Sequence, residues 1–478
     1  MVVLSNILIF LAAICFSGAY YIVFVMGKNN FYENIYMIMH SVTASGTLST
    51  LWYSVRSCLW IFFLLMVIFL LLNKYVFHSK KGKVVFSIVV LCAGLFVVGR
   101  LMYFDKYVIN SLSKTDIYEK YYVDTNKVKI TFPEKKRNVI ILYLESMESS
   151  LFSKENGGAF PESRIPELES IALNNINFSN TDKLGGAYTL DNSSCTIFSL
   201  VTSTSATPVY ARLFNPYGEN NPYMSKVRSL GNVLRENGYN LGLIQGSSVK
   251  FSALDYYLKD NGDFEVFDDD TARERGYVDK NYSVWWGIED KKVFEYSKGE
   301  IEKLAKKKEP FAYILFTTDT HFPDGYLDET CDTPFNEHLA NSYACSSKMV
   351  NNYIEWLKKQ DFYDNTTIVI MGDHKVKQDS FYNKYKDYER VNYNAIINSV
   401  VKGNNKNRKF SQFDMYPTIL ASMGVKIEGE KIGFGVNLFS GEKTMIELLG
   451  KEKFDQEMFK NSDYYNENIR GKKDEKKH

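Results

Sequence analysis

Two stretches decide the fold of this chain: Asn138-Val139-Ile140-Ile141-Leu142-Tyr143-Leu144-Glu145-Ser146 and Thr366-Thr367-Ile368-Val369-Ile370-Met371-Gly372-Asp373-His374. Each is a short apolar run that stops at side chains able to bind a metal. Bounded apolar runs of this length read as strands buried on both faces, as in parallel sheets covered by helices. Working outward, 240–245 and 312–316 read as further strands, while 231–237, 338–359 and 414–423 carry a helical period. In the longest helix Leu339, Tyr343, Met349, Tyr353, Ile354 and Trp356 form the buried stripe. Short strands alternating with amphipathic helices predict an α/β sandwich with a central, mostly parallel sheet over 137–445. No internal repeat is visible.

The first hundred or so residues are far more apolar than the rest. Stretches 4–26, 57–75 and 84–104 are predicted to span a membrane, making 1–105 an anchor. The first is long, with no basic region before it and no small-residue cleavage site, which reads as a retained helix rather than a signal peptide. Lys74, Lys80, Lys81 and Lys83 crowd the loop between the second and third spans. The positive-inside rule puts that loop in the cytoplasm. The chain is then expected to cross the cytoplasmic membrane several times, with everything after about residue 106 on its outer side. Residues 27–56 are expected to form an external loop. Residues 106–136 read as a linker, rich in Tyr118, Tyr121 and Tyr122 and able to lie as a helix near the bilayer surface. Residues 446–478 read as a charged tail, solvated at its end. A net charge of +1 over 478 residues argues against nucleic acid as a partner.

Of the six cysteines, Cys15, Cys58 and Cys92 lie in apolar spans and read as packing residues. Cys331 and Cys345 flank a loop of suitable length for a disulfide in an oxidising compartment. That pairing leaves Cys195 outside any disulfide; three unpaired thiols are the alternative.

In open α/β sheets, ligands bind beyond the carboxyl ends of the strands. Glu145, the segment 317–321 and Asp373-His374 each follow a strand, so three strand ends can converge. An acid at a strand end is by itself commonly a helix cap. Asp373-His374 is more specific, because a carboxylate and an imidazole together suit one divalent ion, zinc or manganese; a hydrogen-bonded turn is the plain alternative. Thr196 begins an apolar helical stretch, where backbone N–H groups favour a phosphate. Its hydroxyl needs a metal or a base to become a nucleophile. Alone, it could be an ordinary first-turn residue. His321 can donate to a phosphoryl oxygen or protonate a leaving alkoxide, or simply pack on Phe322. Of the other histidines beyond the anchor, His338 reads as structural. Trp286, in Trp285-Trp286-Gly287, can line a sugar or headgroup site, with core packing as the alternative.

With these residues in view, the external region resembles the sulfatase-like branch of the alkaline phosphatase superfamily. The likeness is greatest to membrane-anchored phosphoglycerol transferases, which include lipoteichoic acid synthases and the osmoregulated periplasmic glucan enzymes. Phosphoethanolamine transferases are a related group. Stretch 138–146 resembles the family's first strand, ending in its metal-binding Glu at Glu145. Stretch 194–208 resembles the nucleophile helix, with the catalytic threonine at Thr196. Stretch 319–325, followed by Cys331, resembles the glucan enzymes, and 366–374 the strand delivering the Asp and His ligands. Stretch 414–420 and Gly433-Phe434-Gly435 resemble the closing helix and turn. There are departures. Thr189 also follows an aromatic residue and two glycines and is a second nucleophile candidate, though only Thr196 keeps the spacing to Pro208. The Pro and Arg that sulfate-ester hydrolases need after the nucleophile are missing, and Lys375 differs from the glucan enzymes. Three spans, rather than five, differ from lipoteichoic acid synthases.

The resemblance implies one divalent metal, manganese or zinc, held by Glu145, Thr196, Asp373 and His374. Thr196 would take the headgroup of a phospholipid, phosphatidylglycerol being favoured, and release diacylglycerol. A hydroxyl of a periplasmic glucan or other surface glycan would resolve the phospho-threonine, with His321 assisting and Trp286 and His321 contacting substrate. The alternatives are phosphoethanolamine transfer to lipid A or a glycan, a metal-dependent phosphodiesterase or phosphatase, and a non-catalytic binding protein.

Overall fold

The computed structural model describes residues 1–24, 30–40, 47–209, 217–322, 324–377, 381, 383–385, 387–403 and 405–470. The chain divides into two compact units, one from Met1 to Ser113 and one from Lys114 onward.

The first unit is helical: Val2–Phe24, Phe31–His40, Thr47–Tyr75, Lys80–Leu101 and Phe104–Leu112. Three of its segments, Val2–Val23, Cys58–Tyr75 and Lys80–Leu101, are long and apolar enough to cross a membrane. Packing and buried hydrogen bonds join them, as in helix bundles where lipid removes the hydrophobic drive. Ser5 Oγ lies 2.6 Å from Ser87 Oγ and accepts from Asn73 Nδ2 at 2.9 Å, so one polar side chain from each helix meets at a buried point. At Gly94 a Cβ would come within 2.9 Å of Cys15 Cβ, so a glycine lets two helices close. Ser79 starts the last of the three by accepting from the Gly82 N–H at 2.9 Å. Residues 27–56, expected as an external connection, include helical structure. Phe31–His40 is a helix with Tyr32, Ile35 and Tyr36 buried, and the next helix already starts at Thr47. A ten-residue helix that buries one face gives no continuous apolar run for a hydropathy reading to find. In Phe104–Leu112 the residues Phe104, Val108, Ile109 and Leu112 are exposed along one helix face, with Leu112 at 82%.

The second unit is built on a six-stranded sheet: β1 (Asn138–Leu144), β2 (Asn240–Ile244), β3 (Glu265–Phe267), β4 (Phe311–Phe316), β5 (Thr366–Gly372) and β6 (Asn394–Ile397), in the order β3-β2-β4-β1-β5-β6. All contacts are parallel except β5–β6. Every residue of β1, β4 and β5 is buried, as continuous apolar strands between two helical layers require. Ile140, Leu142 and Leu144 share a core with Leu168, Val293, Ile301, Tyr343 and Ile354, from helices Pro166–Asn174, Asp290–Ala305 and His338–Leu357. The other face carries Thr196–Ser205, tied to β1 where the Tyr143 and Ser203 hydroxyls meet at 2.7 Å. β3 and β6 are too short to register as strands in the sequence.

Segments 106–136 and 446–470, expected as a linker and part of a charged tail, carry ordered elements. Ile130–Thr131 pairs antiparallel with Lys426–Ile427, and the Tyr118 hydroxyl donates to the Met458 carbonyl at 2.7 Å. The terminal stretch forms helices Met445–Leu449 and Lys451–Met458, and residues 471–478 lie outside the described residues. Its composition is charged, but Phe454 and Met458 at i, i+4 both turn inward. Phe454 meets the rings of Phe413 and Phe434, each at 5.4 Å. Cys331 and Cys345 form a disulfide with Cα atoms 5.5 Å apart, while Cys195 forms none. Phe454→Ala is expected to cost about 3–5 kcal/mol, read as a lower urea midpoint for the second unit; a disposable tail would leave it unchanged.

Candidate active site

Strand register assembles the site. Leu144 pairs with Gly372 at the ends of β1 and β5, so Glu145 and Asp373 emerge side by side. The Asp373 N–H continues the ladder to the Leu144 carbonyl at 3.1 Å. On the other side Tyr143 pairs with Phe316 of β4, and Thr317 Oγ1 accepts from the Glu145 N–H at 3.0 Å. Gly372 is required here, because a Cβ would fall 1.8 Å from the Met147 carbonyl oxygen.

Glu145, Asp373 and His374 are all buried, and one ligand atom from each lies within 4.8 Å of the others. His374 Nε2 stands 3.5 Å from Glu145 Oε1 and 3.4 Å from Asp373 Oδ2. His374 Nδ1 lies 2.9 Å from the Lys375 carbonyl, which can only accept, so in the neutral ring the proton sits on Nδ1 and the Nε2 lone pair faces the carboxylates. That backbone-oriented imidazole is the arrangement metal-binding histidines use. Asp373 Oδ1 accepts from the N–H groups of Ser146 at 2.8 Å and His374 at 2.6 Å, which fixes the carboxylate. Ser146 has φ +51°, a strained conformation held by these contacts, and its hydroxyl donates to Glu145 Oε1 at 2.6 Å. Burial and the Asp373 charge push the Glu145 carboxyl well above its usual range. Three buried lone-pair donors facing one point fit a divalent cation, which would relieve their mutual repulsion.

Thr196 is the first residue of helix Thr196–Ser205, and Cys195 before it supplies no side-chain cap. The Thr196 hydroxyl donates to Asp373 Oδ2 at 2.9 Å. Thr189, the other candidate, is buried elsewhere and donates to Asn392 Oδ1 at 2.6 Å. Asn392 in turn donates to the Asp373 carbonyl at 3.1 Å, beside Gln412 at 2.7 Å.

His321 lies on the loop after β4. Its Nδ1 donates to the Phe322 carbonyl at 2.7 Å, which leaves the Nε2 lone pair on the neutral ring. Burial foremost, with smaller contributions from nearby His374 and Lys377, holds its pKa down at about 3, against the raising effect of that bond. Trp286 stands 4.5 Å from the His321 ring and is exposed. Asp290, at the start of helix Asp290–Ala305, accepts from the Thr318 N–H at 2.7 Å and the Asp319 N–H at 3.2 Å, pinning this loop. Thr320 Oγ1 completes the pin by donating to the Glu145 carbonyl at 2.6 Å. Asp290, Asn392 and Gln412 carried no signal in the sequence, because an acid at a helix start or a buried amide has an ordinary structural use. His338 is exposed and bonds the Asp324 carbonyl at 2.9 Å, apart from this cluster.

Residues 137–425 match the family described as Sulfatase. This chain belongs to the sulfatase family. Among curated proteins, phosphoglycerol transferase I of Escherichia coli is 27% identical over 284 residues, covering 58% of this chain and 35% of that protein. The chain thus spans about a third of the length of the curated relatives it matches. Two solved structures share the fold. A protein of the alkaline phosphatase superfamily from Vibrio parahaemolyticus has a TM-score of 0.51 at 18% identity, over 72% of this chain and 79% of that one. The integral membrane lipooligosaccharide phosphoethanolamine transferase A of Neisseria meningitidis has a TM-score of 0.52 at 14% identity, over 85% of this chain and 81% of that one. The sulfatase-family unit is therefore an alkaline phosphatase-like sandwich with a mostly parallel core.

The raised Glu145 carboxyl gives a pH test of the cluster. Ionising it costs folding energy in metal-free protein, so stability is greatest below its ordinary value of 4.5 and falls as pH rises above that. After chelation the melting temperature is expected to fall as pH is raised above 4.5. Manganese or zinc should restore it, and Glu145→Gln should flatten both responses.

Proposed function

We propose that this protein transfers a phosphoglycerol headgroup from phosphatidylglycerol to a hydroxyl of a periplasmic glucan or other surface glycan, through a phospho-threonine at Thr196. The observation that carries the reading is the Thr196 hydroxyl at a helix N-terminus, bonded to Asp373 Oδ2 at 2.9 Å beside the Glu145, Asp373 and His374 cluster. The phosphoglycerol transferase I likeness supports the choice of group.

Glu145, Asp373, His374 and Thr196 would hold one manganese or zinc ion, which when bound supplies charge to acidify the hydroxyl and neutralise the phosphodiester. Asp373 orients the Thr196 oxygen toward phosphorus, and the uncapped first turn offers N–H groups to the non-bridging oxygens. Thr196 gives up its proton, its oxygen bonds to phosphorus, and the bond to the diacylglycerol oxygen breaks as that oxygen takes a proton. In the second step an acceptor hydroxyl passes its proton to His321 Nε2 while its oxygen bonds to phosphorus; the bond from phosphorus to the Thr196 oxygen breaks, and that oxygen takes the proton back from His321. His321, neutral and with Nδ1–H tied to the Phe322 carbonyl, has its Nε2 lone pair open to take that proton. Lys74, Lys80, Lys81 and Lys83, at the facing ends of the second and third spans, would sit on the cytoplasmic side and the sulfatase-family unit outside it, where the donor headgroup is presented.

Incubating the protein with phosphatidylglycerol and measuring its intact mass should show one added phosphoglycerol group on Thr196. Thr196→Ala should abolish both that mass and diacylglycerol release. A mass gained instead from phosphatidylethanolamine would change the donor, and activity surviving in Thr196→Ala would overturn the nucleophile. His321→Ala should slow glucan-dependent turnover by a factor of about 100 to 10,000, with the adduct accumulating.

A further inference from the structure

The Trp285-Trp286 turn is built in a way that packing does not require. Val284 and Gly287 exchange backbone hydrogen bonds at 2.7 Å and 3.1 Å, making a two-residue hairpin loop whose tip is the two tryptophans. Trp285 sits at φ +57°, a conformation such turns normally give to glycine or asparagine and a genuine outlier for a bulky side chain. The base of the turn is locked. Ile288 N–H donates to the Gly246 carbonyl at 2.7 Å, beyond the end of β2, and a Cβ on Gly287 would fall 2.1 Å from that same oxygen. The strain therefore cannot relax by moving the turn, and burial does not offset it, since Trp285 and Trp286 are 38% and 40% exposed. Strain of this kind persists where a side chain has to be aimed.

The aim is toward the reaction centre. Trp286 lies 4.5 Å from the His321 ring, and His321 stacks on Phe322 at 4.6 Å. Just before the turn in sequence, Asp279, Lys280, Asn281 and Ser283 are exposed, as is Tyr277. Exposed indole faces on a segment with such donors and acceptors suit a ligand that is apolar on its ring faces and hydroxylated at its edges.

We infer that Trp285 and Trp286 form a stacking platform for neutral hexopyranose units and hold the glycan acceptor with one hydroxyl near His321. This rests on the glycan acceptor of the proposed function, but its test needs no turnover. The full-length protein is placed in phosphatidylcholine nanodiscs, without donor lipid, and titrated calorimetrically with a β-linked glucohexaose. Wild type should bind saturably. Trp285→Ala and Trp286→Ala should each weaken binding at least tenfold, about 1.4 kcal/mol. Trp286→Phe should stay within about threefold, which separates a lost stacking surface from a collapsed turn. Thr196→Ala should bind as wild type, since the platform does not involve the nucleophile. Equal affinity in wild type and both alanine variants would overturn the inference. So would a wild type that binds no oligosaccharide while the variants lose affinity for lipid vesicles, which would make the turn a membrane contact. If the oligosaccharide binds through the tryptophans but no adduct forms on Thr196, the transfer reading fails and the platform stands.

Discussion

The repulsion among the lone pairs of Glu145, Asp373 and His374 is the constraint on which the rest of this unit depends. Two buried carboxyl groups and an imidazole nitrogen are held within 4.8 Å, and their own hydrogen bonds orient them rather than separate them. Such an arrangement costs energy when empty of positive charge, so the surrounding structure has to impose it. The ladder between β1 and β5 does so, setting Leu144 opposite Gly372. The positive φ of Ser146 and the missing side chain of Gly372 are local adjustments that let both chains leave the sheet at the same level.

Function is then divided among layers. One sheet face supplies the helix that begins at Thr196, anchored through Tyr143 and Ser203. The other supplies helix Asp290–Ala305, whose first residue fixes the His321 loop. A threonine hydroxyl and a histidine carried on separate elements are thereby held against one strand end. Supporting contacts from Asn392 and Gln412 to the Asp373 carbonyl extend the same logic behind the carboxylate. Positioning of this kind matters because displacement by a fraction of an ångström is costly in transfer chemistry.

Much of the central sheet was legible because β1, β4 and β5 are continuous apolar runs, and their terminal residues named the cluster. Shorter elements escaped. Three-residue β3 and four-residue β6 carry too few residues for periodicity to register. The helix Phe31–His40 and the C-terminal helices were hidden for a related reason: a charged or mixed composition conceals a narrow inward stripe such as Phe454 and Met458. Asp290 was invisible as a loop anchor, since its partners Thr318 and Asp319 are almost thirty residues away and meet it only after folding.

By itself the sequence determined which residues could do the chemistry. A carboxylate, an Asp-His pair and a hydroxyl follow apolar stretches, and strand ends are where open α/β sheets place ligands. Three long apolar helices were likewise fixed by composition, because spanning length is a local property. Spacing to Pro208 already set Thr196 apart from Thr189, and only tertiary structure shows what each hydroxyl bonds to. Thr196 reaches Asp373 Oδ2, while Thr189 is spent on Asn392. The protonation state of His321 was decided the same way, by burial and the Phe322 carbonyl. Hydrogen-bond partners and local dielectric are properties of packing, and no stretch of sequence contains them.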